Sequence, residues 1–208
     1  MKICLSMWSL NRYWKETNFS TTDFVDFAAT TKAEGVELLD LFWRDKETET
    51  LRVQEALKNN GLQMACYSAT NNFAKLKSSD RLAQLNVLTE SVDTAVFFEA
   101  KVVRVFSGDR WDQEVETVSD EQIHAWIIEG LKEAAFYAEK RGIMLCLENH
   151  GRFAASADQV LGIIRDVNSP ALGSAFDTGN FLSVDDDPVQ ACDKLIRYIP
   201  HVHFKDLL

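Results

Sequence analysis

Short apolar runs alternate with longer amphipathic stretches along the whole chain. KICLSMWS (2–9) reads as a strand, and TTDFVDFAATTKAEG (21–35) as a helix that starts near Thr22 or Asp23 and stops at Gly35. VELLDLF (36–42) is a second strand, ETLRVQEALKNNG (49–61) a second helix ending at Gly61, and QMACYSAT (63–70) a third strand. Helical apolar spacing returns over 80–100, followed by strand KVVRVFSG (101–108). The fourth helix, 120–142, begins with acidic residues, ends in Lys140, Arg141 and Gly142, and carries a broad apolar stripe. IMLCLENH (143–150) is strand five, and SADQVLGIIRDVNS (156–169) helix five, with Ser156 as its N-cap. Strand six (171–180), helix six (186–200) and strand seven (201–208) complete the series.

Seven strands and six helices in strict alternation predict a parallel sheet with helical crossovers. No linker or low-complexity stretch divides them, so residues 1–208 are expected to form one domain. A (β/α)₈ barrel and an open doubly wound sheet both satisfy the pattern. The open nucleotide-binding form calls for G-x-G-x-x-G after an early strand, and the chain has none. Polar residues gather instead at the C-terminal ends of several strands, where a barrel carries its active site. The expected fold is therefore α/β, of the (β/α)₈ TIM-barrel type but incomplete: helix seven, strand eight and helix eight are missing from the count. An unfinished barrel exposes two sheet edges, and bare edges invite pairing, so a homodimer through them is expected.

Composition narrows the function classes. With Lys plus Arg 22 against Asp plus Glu 32, the net charge is −10, which argues against a broad basic surface for nucleic acid. No run approaches the ~20 apolar residues that cross a bilayer, and the N-terminal apolar stretch is too short for a signal peptide. No membrane contact is expected, and the cytoplasm is the expected compartment. None of the four cysteines, Cys4, Cys66, Cys146 and Cys192, sits in a C-x-x-C pair, so free thiols are expected.

Candidate chemistry lies at the strand ends. Alternate side chains share a face of a strand, so Met144, Cys146 and Glu148 point one way, as do Gly173, Ala175 and Asp177, and His201, His203 and Lys205. If those faces point into the barrel, Glu148, Asp177 and His203 converge at its mouth as a carboxylate, a carboxylate and an imidazole, a plausible divalent-metal site. The competing readings stay open at this point: Asp177 could cap a turn with Gly179, and Glu148 could pair with Lys205. Trp8, Glu37, Asn71, His150 and Lys205 are candidate substrate contacts. Glu37 could equally form an ion pair across the barrel. Arg104 and Arg110 could bind an anion or pair at the surface, and Trp43 and Trp111 could form an apolar wall.

LENHG (147–151), FDTGN (176–180) and HVHFKD (201–206), with EGVELLD (34–40) on strand two, resemble the sugar phosphate isomerase/epimerase superfamily. These are xylose-isomerase-like TIM barrels whose members include ketose 3-epimerases, hydroxypyruvate isomerase, inosose dehydratase and endonuclease IV. The resemblance runs through the whole chain in order. It implies that Glu148 is the strand-five metal glutamate and an acid/base, Asp177 the strand-six ligand and His203 the strand-seven ligand. His201, one layer deeper, is implied to pack or to support. The fourth ligand of the superfamily, a glutamate on strand eight, has no counterpart in this chain.

The resemblance implies a metal-dependent sugar or sugar phosphate isomerase or epimerase, which removes a proton beside a carbonyl through an enediolate. Two oxygen donors and one imidazole suit Mn²⁺ or Mg²⁺, with Co²⁺ or Zn²⁺ as alternatives. The expected partner is a small carbohydrate. A keto-sugar or inosose dehydratase, and a catalytically incomplete fragment or binding protein, are the alternatives. Nuclease chemistry is disfavoured by four histidines and the acidic charge.

Overall fold

A computed structural model describes residues 2–205 of the chain. Strand seven was expected to run to 208; Asp206 and the two leucines after it lie outside the described residues. The strands are β1 (Cys4–Ser6), β2 (Gly35–Leu39), β3 (Gln63–Ser68), β4 (Val102–Val105), β5 (Met144–Glu148), β6 (Leu172–Asp177) and β7 (His201–His203). The helices are α1 (Asn11–Glu16), α2 (Thr21–Ala29), α3 (Lys46–Asn60), α4 (Ser78–Phe97), α5 (Asp120–Glu139), α6 (Ala157–Val167), α7 (Thr178–Leu182) and α8 (Pro188–Leu195). Two of these, α1 and α7, were not expected. α7 forms where a plain turn was foreseen, because the Asp177 carboxylate caps its first backbone N–H groups.

All six strand pairings are parallel, in the order β1-β2-β3-β4-β5-β6-β7. The sheet is curled. In a flat sheet β2 and β7 would stand ~24 Å apart, five spacings of ~4.8 Å. Instead His201 and His203 of β7 both reach Glu37 of β2, at 3.0 and 2.8 Å. The fold is an incomplete TIM barrel, seven parallel strands with helical crossovers, and among the described residues β1 and β7 are its two edges.

Local chemistry explains the element ends. Ser20 with Asp23, and Ser156 with Gln159, form capping boxes that satisfy the first N–H groups of α2 and α6. Asp187 caps α8, with Pro188 in the first turn where its missing N–H costs nothing. Gly61 ends α3 with φ 65°, a left-handed turn that a glycine adopts without penalty. β2 and β6 are buried over their full lengths, as expected for parallel strands covered on both faces. The helices pack apolar stripes, such as Ile123, Ile127 and Leu131 of α5, onto the outside of the sheet.

Gly130 lies mid-way along α5, where glycine normally weakens a helix by ~1 kcal/mol relative to alanine. Here it faces the buried ring of Phe73, and an added Cβ would stand 2.3 Å from that ring. Gly130→Ala should therefore destabilise the fold by ~1–3 kcal/mol, the cost of overpacking, rather than stabilise it. Urea unfolding followed by circular dichroism measures the sign directly.

Candidate metal and acid–base centre

The curl brings four inward side chains to the C-terminal mouth of the barrel. Glu148 ends β5 at the level of Ala175 and His201, and Asp177 ends β6 opposite His203 of β7. Glu37 sits on β2 just after a register shift between Val36 and Glu37, opposite Cys66 of β3. Glu37, Glu148 and Asp177 are each buried.

Glu37 receives four donors. The hydroxyls of Ser6 and Ser68 donate to Oε1, at 3.1 and 3.0 Å. The Nε2 atoms of His201 and His203 meet Oε2 at 3.0 and 2.8 Å. The other nitrogen of His203, Nδ1, lies 3.4 Å from Glu148 Oε1. Beyond it, Arg104 Nε lies 3.0 Å from Glu148 Oε2, a charge contact too far off line to count as a hydrogen bond. A buried row of alternating charge therefore crosses the mouth: Glu37, His203, Glu148, Arg104.

The charges act on one another. Burial opposes ionisation of Glu37, but the His203 charge and the two imidazole hydrogen bonds hold its carboxyl well below the usual range. Burial likewise works against Glu148, and the Arg104 guanidinium, with His203, keeps it ionised and below its ordinary value. Asp177 is moved the other way, upward, by burial and by the nearby Glu148 charge, against the backbone N–H of Asn180. Burial disfavours the His203 imidazolium, but Glu37 and Glu148 on either side push its pKa up to about 10.

Asp177 divides its oxygens. Oδ1 accepts the N–H groups of Gly179 and Asn180, both at 2.9 Å, and Oδ2 takes no donor among the described residues. The expected turn cap thus uses one oxygen of the carboxylate and leaves the other without a donor among the described residues. The Asp177 backbone is clamped in turn by the Asn149 side chain, whose Oδ1 accepts Asp177 N (2.8 Å) and whose Nδ2 donates to Asp177 O (2.9 Å). Asn71 grips Phe106 in the same two-handed way, at 2.9 and 2.7 Å. Asp40 holds Thr70 through the backbone N–H and the hydroxyl, at 2.6 and 2.8 Å.

One oxygen or nitrogen each from Glu148, Asp177 and His203 lies within 4.8 Å of the others, a spacing that could hold a cation. A second such group, Glu37, His201 and His203, sits deeper, but its atoms are already bonded to one another. Among the rim candidates, His150 is half-buried and lies against the Phe106 ring, with centroids 4.7 Å apart. Lys205 Nζ donates to Asn180 Oδ1 at 2.8 Å rather than pairing with Glu148. Trp8 and Trp111, both exposed, line the mouth of one continuous cleft with Glu148, His150 and Asp177. Asn71 is buried and committed to the backbone. Trp43 donates to the Tyr67 hydroxyl at 3.0 Å, and Arg110 braces the loop before α5 through Val118 O and Asp120.

Four neighbours of the site were given no role in its chemistry by the sequence reading: Asn149, Asn180, and Ser6 and Ser68, whose hydroxyls donate to Glu37. Arg104 was named, but as an anion or surface group. Its signal was available, since an arginine inside the apolar run VVRVF must find a partner if that strand is buried. All four cysteines are free thiols, with Cys66 and Cys146 fully buried. No described helix is long and apolar enough to cross a membrane.

The sequence pattern of the xylose isomerase-like TIM barrel family matches residues 25–208. No curated protein sequence matches the chain. Among solved structures, a D-tagatose 3-epimerase-like protein superposes with a TM-score of 0.83 at 22% identity, over 99% of this chain and 76% of that one. The probable 3-DHS dehydratase AsbF from Bacillus anthracis gives 0.78 at 21% identity, over 100% and 74%. A xylose isomerase-like TIM barrel protein from Mycobacterium smegmatis, in complex with magnesium, gives 0.75 at 18% identity, over 99% and 74%. At these identities the likeness is one of fold.

The His203 shift has a consequence in metal-free protein. Its folded pKa of about 10 lies above the ~6.5 of an unfolded histidine. Its contribution to stability is therefore complete below pH ~6.5 and is lost as the pH rises through the folded value. Metal-free protein should lose thermal stability between pH 7 and 10, and His203→Gln should flatten that slope. Thermal unfolding across this pH range, with a chelator present, checks the sign.

Proposed function

The chain belongs to the xylose isomerase-like TIM barrel family, and from that premise we propose that it is a divalent-cation-dependent isomerase or epimerase of a sugar or sugar phosphate. The observation that carries this reading is the meeting of Glu148, Asp177 and His203 in the cleft at the C-terminal mouth of the barrel. The donor set fits the family's need for a cation. It offers two hard carboxylates and one imidazole, and Asp177 Oδ2 has no protein donor to satisfy it. Such a set suits Mn²⁺ or Mg²⁺, and also admits Co²⁺ or Zn²⁺. A magnesium complex among the similar structures supports the choice of a hard cation.

A cation held there supplies Lewis acidity, which lowers the cost of removing the proton beside a substrate carbonyl. The chain's own groups do the rest. Glu148, kept ionised by Arg104 and His203, is the group we assign to take that proton. The substrate then passes through an enediolate. Return of that proton by Glu148 to the next carbon gives an aldose–ketose exchange, whereas epimerisation needs a second acid, outside the residues assigned here, to protonate the same carbon from the opposite face. Glu37 holds the His203 ring by Nε2, which leaves Nδ1 on the side of Glu148 and fixes the imidazole as a carboxylate commonly fixes a metal-bound histidine. We assign it this orienting part in place of a substrate contact, since four donors already fill its oxygens. His150, Lys205 and Trp8, at the mouth, are assigned to the sugar's hydroxyl or phosphate oxygens and its apolar face.

A dehydratase shares the first proton abstraction, and the fold likeness to a probable 3-DHS dehydratase supports keeping it as the second reading. The edges at β1 and β7 further support pairing with a second copy of the chain. Sedimentation of a dimer bears this out, and monomers alone at high concentration count against it.

In deuterated water with Mn²⁺, the protein should exchange a C2- or C3-bound proton of its ketose substrate, as read by proton NMR across a panel of ketoses and their phosphates. Glu148→Gln should slow that exchange by ~10²–10⁴-fold, the usual worth of a positioned base. Asp177→Asn should weaken Mn²⁺ binding. A new ultraviolet-absorbing dicarbonyl product selects the dehydratase, and absence of both Mn²⁺ uptake and proton exchange removes the enzymatic reading.

A further inference from the structure

We propose that Arg104 is a positioning residue that divides the two oxygens of Glu148 and sets how tightly the centre holds its cation. The inference rests on the metal reading above and adds to it a group outside the ligand set.

Arg104 is fixed without help from Glu148. It is 5% exposed. Its Nη1 donates to the Ala69 carbonyl at 2.7 Å, and its guanidinium lies 4.0 Å from the centre of the Phe106 ring. The Phe106 backbone is itself gripped on both sides by Asn71. The guanidinium therefore stands in a rigid socket.

From that socket it meets only one oxygen of Glu148. Nε lies 3.0 Å from Oε2, but off line, so the contact is one of charge. Oε1 faces the other way, toward His203 Nδ1 and Asn180 Nδ2, both at a long 3.4 Å. Glu148 is thus offered to a cation by a single oxygen while its partner oxygen is neutralised. The Nε atom is sealed from solvent, and although Arg104 lines the cleft it shows almost no surface there. Arg104 consequently acts through Glu148.

The sign of its effect separates this from mere support of the fold. A fixed positive charge beside a ligand carboxylate repels an incoming dication, and in a buried site that repulsion is poorly screened. Removing it frees charge on Glu148, whose place is still kept by β5, Asn180 and His203. A guanidinium that only held the ligand in place would have the opposite effect, because its loss would loosen the site and weaken binding.

The experiment is Mn²⁺ titration by calorimetry on the wild-type protein, Arg104→Gln and Arg104→Lys, each checked for folding by circular dichroism. The expected result is that Arg104→Gln binds Mn²⁺ about tenfold more tightly than wild type, since a repelling charge has gone. Arg104→Lys, which keeps the charge, should restore the wild-type Kd to within about threefold. Equal or weaker binding by Arg104→Gln overturns the inference while leaving the metal reading standing. If neither wild type nor any variant takes up Mn²⁺, the metal reading fails and this inference falls with it. Should Arg104→Gln not fold, the wild-type protein decides: the ¹⁵Nε resonance of Arg104 should move on addition of Mg²⁺, and an unmoved resonance overturns the proposal.

Discussion

The structure depends on a buried row of charges that would each be ruinous alone. Glu37, His203, Glu148 and Arg104 stand in sequence across the barrel mouth, negative next to positive; Glu37, Glu148 and Arg104 are buried and His203 is half-buried. An isolated ion in such a place costs several kcal/mol, and removing one partner from a buried pair typically costs ~3–5 kcal/mol. The row is tolerable because no member faces the interior alone. It also explains why the pKa shifts run in matched directions, with the carboxyls of Glu37 and Glu148 moved down and the imidazole of His203 moved up. Asp177 stands outside the row, and its carboxyl moves up because burial and the Glu148 charge outweigh the Asn180 N–H and the charges of Lys205 and His203.

A charge row needs accurate placement, and a second device supplies it. At three points around the rim, a polar side chain just past one strand grips the next strand at or just past its end. Asp40 holds Thr70, Asn71 holds Phe106, and Asn149 holds Asp177. Each clamp makes two hydrogen bonds where the sheet ladder has run out. The loops leaving β3, β4 and β6 therefore start from fixed positions, and the side chains that face inward inherit that fixity. The same clamps consume residues that look functional in the sequence. Asn71 is a polar group at the mouth of a barrel, yet both ends of its amide are spent on backbone.

How much of this was readable beforehand follows from which signals are local. Strand and helix order was readable because period-two and period-3.6 patterns are written within single segments, and so was the face that Glu148, Asp177 and His203 share. The register that sets Asp177 opposite His203 needs only that successive strands be parallel neighbours. What stayed hidden depends on the curl. Glu37 and His203 are separated by 166 positions in the chain and by five strands in the sheet order, and no local pattern pairs them. Asn149 was hidden for a different reason: it follows Glu148 on the opposite parity, so it reads as facing away from the site. The short α7 was hidden because a five-residue helix leaves almost no periodicity, and its existence rests on the cap that Asp177 provides.

Glu37 also links the two sides of the curl. Among the described residues β1 and β7 are not hydrogen-bonded neighbours, so no backbone ladder joins the two sides there. β7 pairs with β6 over three residues only. What reaches across is side chain: Ser6 from β1 and both histidines from β7 converge on the carboxylate of β2. Closing so long a loop costs only slightly more than closing a short one, because the entropy grows with the logarithm of length. The Glu37 carboxylate therefore adds a side-chain tie from β7 to β2, while β1 and β3 are joined to β2 by their own ladders. The group that ties the barrel is also the group that orients His203. Shape and site thus meet at one residue, which links β7 to β2 and holds the imidazole that faces Glu148.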